Sequence, residues 1–85
     1  MITDEQLDRF RVEGTLIRVV RDANRENDIR GYVVAWDENT VLIRKRSTKG
    51  LVKLDRHRYV YQRYDEERVV PPAVIGDSAD GDGGN

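Results

Sequence analysis

The fold is decided by the stretch Asp28-Ile29-Arg30-Gly31-Tyr32-Val33-Val34-Ala35-Trp36-Asp37. Its β-branched and aromatic residues predict a long β-strand. A glycine inside such a strand indicates a sharp bend or a close backbone approach, so Gly31 predicts a strand that curls. The polar turn at 37–40 and the strand predicted at Val41-Leu42-Ile43-Arg44-Lys45 then indicate an antiparallel hairpin. A small sheet that closes on itself is the expected result.

The segment before this hairpin predicts a short helix. Thr3-Asp4-Glu5-Gln6 has the form of a capping box, in which the first and last side chains each bond the other residue's backbone N–H. Gly14 can end the helix in a left-handed cap. A helix of about ten residues is marginal alone, so Leu7 and Phe10 are expected to dock on the sheet. We expect the helix to cover one end of a barrel.

Three further strands are predicted at 15–20, 51–54 and 58–64, and residues 21–28 predict an exposed loop. The fold class is therefore mainly β, a short N-terminal α-helix followed by a five-stranded, strongly bent antiparallel barrel over residues 1–70. Pro71-Pro72 stops regular structure, and the Gly- and Asp-rich remainder has little apolar surface. Residues 71–85 are thus predicted to be a disordered acidic tail.

Composition narrows the function classes. The 85 residues include no cysteine and one histidine, which removes disulfides, thiolate metal sites and an imidazole cluster for zinc. No pair of residues makes a nucleophile with its base, so we expect no catalysis and no cofactor. No apolar run approaches a membrane span and no signal segment is evident, so we expect a cytoplasmic protein.

The distribution of charge says more than its sum. The formal net charge is −1, yet residues 43–64 hold eight Lys or Arg against one acidic residue, a net +7. Basic residues interleaved with aromatics suit single-stranded nucleic acid, since cations meet phosphates and rings stack on bases. The predicted nucleic-acid-binding residues are Arg44, Lys45, Arg46, Lys49, Lys53, Arg56, Arg58, Tyr59 and Tyr61.

Each candidate also has a plainer interpretation. The run 44–46 with Lys49 can be a solvated hairpin tip, and Tyr59 with Tyr61 can belong to the core or to a subunit interface. Trp36 can stack on a base, but burial at the barrel end is favoured. Asp37 is expected to brace the turn that follows it, and we assign His57 no chemistry.

Residues 31–37, followed without a gap by 38–43, resemble the first Sm motif, in which a glycine lies in the second strand and an aromatic and an aspartate close it. The chain is most similar to the bacterial RNA chaperone Hfq family, within the SH3-like group of small barrels. Lys53 matches the lysine of that family's Tyr-Lys-His triplet, whereas Leu54 stands in place of the histidine. The resemblance implies a homo-oligomeric ring formed by edge-to-edge strand pairing.

Two hypotheses follow for the function. The first is a non-catalytic Sm-like, Hfq-like module that binds single-stranded RNA in post-transcriptional regulation, as a homo-oligomeric ring. The second is a small SH3-like barrel that mediates protein–protein interaction within a larger complex, through an open strand edge or its tyrosine face.

Overall fold

A computed structural model of the protein describes residues 1–72. Within that range one helix and five strands follow each other as α1 (Asp4–Glu13), β1 (Ile17–Val20), β2 (Ile29–Trp36), β3 (Thr40–Lys45), β4 (Leu51–Asp55) and β5 (Val60–Arg63). A short 3₁₀ helix, Arg25–Asn27, lies in the loop between β1 and β2. The predicted disordered tail lies outside the described residues except for its two prolines.

The helix α1 begins and ends as the sequence predicts. The Thr3 hydroxyl accepts a hydrogen bond from the backbone N–H of Gln6, and the Gln6 side chain accepts one from the backbone N–H of Thr3. Gly14 ends the helix with a left-handed backbone, at φ 64°. Leu7 is fully buried and Phe10 packs against the same core, so the helix docks its apolar stripe on the sheet.

Gly31 lies where β2 and β3 come very close. It pairs with Ile17 of β1 and with Lys45 of β3. A Cβ atom at this position would overlap the backbone carbonyl of Arg44 and lie 2.9 Å from Cγ2 of Ile43. The predicted close backbone approach is therefore confirmed. A register shift between Val33 and Ala35 adds a bulge three residues further along, and a bulge of this kind bends the strand.

The sheet is antiparallel in the order β4-β3-β2-β1-β5. β4 and β5 are its two edges, and along residues 1–72 they are not paired with each other, so the predicted closure into a barrel is wrong for the single chain. The predicted last strand is too long. Arg58 and Tyr59 lie in the turn before β5 and Tyr64 lies in the turn after it, so β5 keeps four residues. Edge pairing needs extended backbone on both strands, and this turn interrupts it.

The sheet is nevertheless curved rather than flat. Only the turn 56–59 joins the two edge strands. That connection can span at most about 18 Å, whereas the edges of a flat five-stranded sheet would be about 19 Å apart. The Tyr61 hydroxyl also donates to the carbonyl oxygen of Asp55, at 2.8 Å, which ties β5 to the end of β4.

The core fills the concave side of the sheet, beneath α1. Side chains of every strand contribute to it, because alternate residues of each strand face inward. The buried members are Leu7, Ile17, Val19, Val33, Val41, Ile43, Leu54 and Tyr61. Val20 is also buried, but it lies on the same side of β1 as Arg18. Trp36 is half-buried and packs against this core, as its plainer interpretation predicts.

Candidate nucleic-acid interface

The convex side of the sheet is strongly basic. Arg18 of β1 lies opposite Arg30 of β2, and the backbone N–H of Arg46 donates to the carbonyl oxygen of Arg30 at 2.9 Å. Residues paired in this way point to the same side of a sheet, so Arg18, Arg30 and Arg46, which directly follows β3, form a row that we call the arginine row. Ile17 and Val19 are fully buried on the other side, which fixes the row on the outside.

A second row lies beside the first. Tyr32 of β2 pairs with Arg44 of β3, and Arg44 pairs with Leu51 of β4. Tyr32 is 37% exposed, and Leu51 is 57% exposed. Lys53 follows on β4, on the same side. We call this surface the outer face; its polar members are Arg18, Arg30, Tyr32, Arg44, Arg46 and Lys53.

The arginine row is electrostatically unbalanced. Side chains directly opposite each other in an antiparallel pair have Cβ atoms about 5 Å apart, and like charges at that spacing destabilise the sheet. None of the ion pairs formed within residues 1–72 involves Arg18, Arg30, Arg44 or Arg46. The described fold therefore places neighbouring guanidinium groups together without an ion-paired carboxylate. An anion such as a phosphate would relieve that repulsion.

Tyr64 lies at the end of the outer face, just after β5. The guanidinium of Arg18 lies over its ring, 4.7 Å from the centroid, and donates to its carbonyl oxygen at 3.3 Å. A hydrogen bond from Arg30, together with the positive charges of Arg30 and Arg18, lowers the pKa of the Tyr64 phenol.

Five of the predicted basic residues are exposed. Arg44 and Lys53 lie on the outer face, and Arg46 and Lys49 lie in the turn between β3 and β4. Arg58 is exposed in the turn before β5. The structure therefore brings Arg44, Lys53 and Arg46 together with Arg18 and Arg30. Arg58 lies in a different turn.

Lys45 and Tyr59 are only partly accessible. Lys45 is half-buried and pairs with Gly31, on the side of the sheet opposite the arginine row. Tyr59 is half-buried, packs against the core, and has the Arg21 guanidinium 5.9 Å from its ring centroid. Neither side chain lies on the outer face.

Arg56 has a structural position inside the molecule. Arg56 is 5% exposed. Its guanidinium donates hydrogen bonds to the carbonyl oxygens of Ile2 and Asp37 and to the carboxylate of Asp4. These bonds join the start of α1 to the turn between β2 and β3. A phosphate could be bound by Arg56 only if they were broken, so we leave this residue out of the proposed site.

Tyr61 is also placed inside. It is 8% exposed, and burial raises the pKa of its phenol well above the usual value. Its hydroxyl is already bonded to the carbonyl oxygen of Asp55. A ring in this position cannot stack on a base, and we leave it out of the proposed site for that reason.

Asp37 braces the turn between β2 and β3, as the sequence predicts. Its Oδ1 accepts hydrogen bonds from the backbone N–H groups of Asn39 and Thr40, both at 2.8 Å, and from the Thr40 hydroxyl at 3.0 Å. These bonds, from Asn39 first, lower the pKa of the Asp37 carboxyl. The role of this aspartate is to fix the hairpin.

Sequence reasoning missed Arg18, Arg30, Tyr32 and Tyr64 as site residues. A usable signal was present, because each strand alternates and Arg18 stands between two buried apolar residues. The charge count, however, singles out the segment 43–64, and these four residues lie outside it or at its end. Only the strand register shows that they share a surface with Arg44 and Arg46.

The chain matches no protein-family model, no curated protein and no solved structure. The similarity of residues 31–43 to the first Sm motif is thus a hypothesis from the sequence. Within residues 1–72 no helix is long and apolar enough to cross a membrane.

Proposed function

We propose that this protein is a non-catalytic module that binds single-stranded RNA on the outer face, acting in the cytoplasm in post-transcriptional regulation. The observation that carries the proposal is the arginine row. Three guanidinium groups side by side, on β1, on β2 and just after β3, with no carboxylate of the described chain paired to them, match a string of phosphates. Arginine is suited to this role because its planar fork binds two phosphate oxygens at once.

The exposed tyrosines favour a single strand over a duplex. Tyr32 and Tyr64 are the exposed aromatic side chains beside the cations of the outer face. The bases of a single strand can turn outward and stack on such rings, and each base stack contributes about 1–3 kcal/mol. In this proposal Arg18, Arg30, Arg44 and Arg46 bind phosphates, Lys53 adds charge, and Tyr32 stacks on a base.

The finer fold assignment is part of the same proposal. We propose that the curved sheet is an Sm-like, Hfq-like module, and that it assembles into a homo-oligomeric ring. The two unpaired edges support this, because β4 and β5 have similar lengths of five and four residues. Pairing β4 of one copy with β5 of the next would satisfy backbone groups that an isolated sheet leaves at its edges.

Fluorescence anisotropy with U-rich and A-rich single strands, each at two salt concentrations, tests the RNA proposal. Affinity is expected to fall steeply with salt, because each phosphate contact adds about 0.7 to the slope of log affinity against log salt. The double variant Arg30→Ala/Arg44→Ala should reduce that slope by about 1.4. Millimolar binding that salt leaves unchanged would refute the proposal.

The control is Arg9→Ala/Arg11→Ala, which removes the same charge from α1. Both residues are exposed, and α1 packs on the concave side, away from the outer face. Alanine favours the helix, and the surface ion pair between Arg11 and Asp8 contributes little. This variant should bind RNA as the original chain does. Equal losses in both double variants would mean that only total charge matters.

A protein-interaction module is the second candidate, favoured by the same open edges. A peptide strand could add to β4 or β5 through backbone hydrogen bonds. Light scattering coupled to size-exclusion chromatography separates the two candidates. A stable ring supports the Sm-like proposal, whereas a monomer that does not bind RNA supports the interaction module.

A further inference from the structure

A cleft of about 300 Å³ lies where the loop between β1 and β2 meets the end of the outer face. Arg18, Arg30 and Tyr64 line it from the sheet side, and Arg25 lines it from the 3₁₀ helix. Asp28 and Arg68 form its buried members. We propose that this cleft binds a phosphomonoester group, and that it recognises the phosphorylated end of the RNA strand on the outer face; this inference rests on the proposed function.

The charge of the cleft matches a dianion. Asp28 and Arg68 form a bidentate ion pair, with both N–O distances at 2.8 Å and both side chains 9% exposed, so each neutralises the other. Three guanidinium groups then remain against one carboxylate, that of Glu26, a net charge of +2. A terminal phosphate carries about −1.5 to −2 near neutral pH, whereas a phosphate within the strand carries about −1. The cleft therefore favours the end of a strand over its interior.

The loop that presents Arg25 is held in place before any ligand binds. The Asp22 carboxylate accepts from the backbone N–H of Asn24 and from the side chain of Asn27, at 2.8 and 2.9 Å. Arg68 donates to the carbonyl oxygen of Asp22 at 2.8 Å, in addition to its pair with Asp28. A site whose supporting shell is already formed loses less entropy on binding.

Two further groups point the cleft toward phosphate oxygens. The Arg18 guanidinium lies over the Tyr64 ring and donates one hydrogen bond to the Tyr64 carbonyl oxygen. Its other N–H groups can donate to a phosphate. Tyr64 also lines the cleft, and its phenol carries an O–H donor that a phosphate oxygen can accept. Together with Arg25 and Arg30, these groups can surround a tetrahedral anion.

The test measures binding of one short U-rich sequence in three forms: hydroxyls at both ends, a phosphate at one end, or a phosphate at the other. Fluorescence anisotropy with the full chain gives the ratio of affinities. The better phosphorylated form should bind about tenfold more tightly than the hydroxyl form, the gain typical of added charge-assisted hydrogen bonds. The preferred form also shows which end enters the cleft.

Variants assign the preference to the cleft. Arg25→Ala should bring the affinity ratio close to one. Arg21→Ala is the matched control, because Arg21 lies in the same loop but has its guanidinium near the Tyr59 ring. That variant should keep the preference. If Arg25→Ala keeps the preference as well, the cleft is not the site.

The outcomes separate this inference from the RNA proposal. If all three strands bind equally tightly, the phosphomonoester inference is wrong and the RNA proposal stands. If no strand binds, uridine monophosphate remains as a probe of the cleft alone. Adding uridine monophosphate should then shift the NMR amide resonances of Arg25 and Tyr64, and the shift at Tyr64 should disappear in Arg25→Ala. That result would support binding in the cleft and refute the RNA proposal. Absence of both responses refutes both.

Discussion

Arg56 is predicted to stabilise the fold, and Arg56→Met tests this directly. The variant keeps a long side chain but removes the donors to the carbonyl oxygens of Ile2 and Asp37, at 3.0 and 2.8 Å. The carboxylate of Asp4 is also lost as a partner, but it is 72% exposed and water can replace the guanidinium there. Two carbonyl oxygens, those of Ile2 and Asp37, lose their charged donor, which corresponds to about 3 kcal/mol of unfolding free energy.

Urea unfolding measures this loss. Trp36 is the only tryptophan of the chain and packs against the core, so its fluorescence reports unfolding. In a domain of this size a loss of about 3 kcal/mol lowers Tm by roughly 12–24 °C. Arg46→Ala is the control, because its side chain is exposed, and its stability should stay within about 0.5 kcal/mol.

Arg56→Lys provides a second measurement in case Arg56→Met does not fold. Lysine keeps the charge but loses the fork, so we expect a smaller loss of stability than in Arg56→Met. The reasoning would be refuted if Arg56→Met unfolds at the same urea concentration as the original chain. If that variant also lost RNA binding, Arg56 would belong to the RNA-binding residues.

Three other changes test the fold. Gly31→Ala should lower the free energy of unfolding in urea by about 1–3 kcal/mol, because the new methyl group overlaps the Arg44 carbonyl. In the control, Gly50→Ala, the new methyl group meets only a side chain, so the loss should be smaller. Equal losses would contradict the close approach at Gly31. The pKa of Asp37 is lowered in the folded state, so its stabilisation is present above about pH 3.9 and is lost as the pH falls. The Tm of Asp37→Asn should therefore fall less on acidification than the Tm of the original chain. An equal fall in both would count against the hydrogen bonds of Asp37 in the turn. The folded state raises the pKa of Tyr61, so its stabilisation is present below about pH 10 and is lost as the pH rises above it. Tyr61→Phe should lose less stability in alkali than the original chain, and the opposite result would mean that the phenol is not buried.

The local features of the fold were predictable because they depend on neighbouring residues. The capping box needs only residues three apart, and the brace at Asp37 needs only the next three residues. The extent of the last strand was predicted wrongly, because its alternating pattern continues through Arg58 and Tyr59. Those residues form the turn that joins the two edges of the sheet, and alternation alone cannot show where a strand ends.

The candidate site was only partly predictable, because charge along a sequence does not reveal which side of a sheet a residue occupies. Arg44, Arg46 and Lys53 were found by counting charge, and the structure places them on the outer face or beside it. Arg56 was found by the same count but lies inside. Burial of an arginine depends on acceptors supplied by distant segments, here the start of the chain and a hairpin turn.

The sequence by itself determined the helix with its caps, the hairpin, and the position, Gly31, at which a side chain is disfavoured. Each of these follows from steric and hydrogen-bonding preferences within a few residues. Only the tertiary structure decided that Arg18, Arg30 and Arg46 lie side by side and that the sheet stays open between β4 and β5. The physical reason is that strand register is set by packing between segments far apart in the chain, and this packing determines which charges become neighbours.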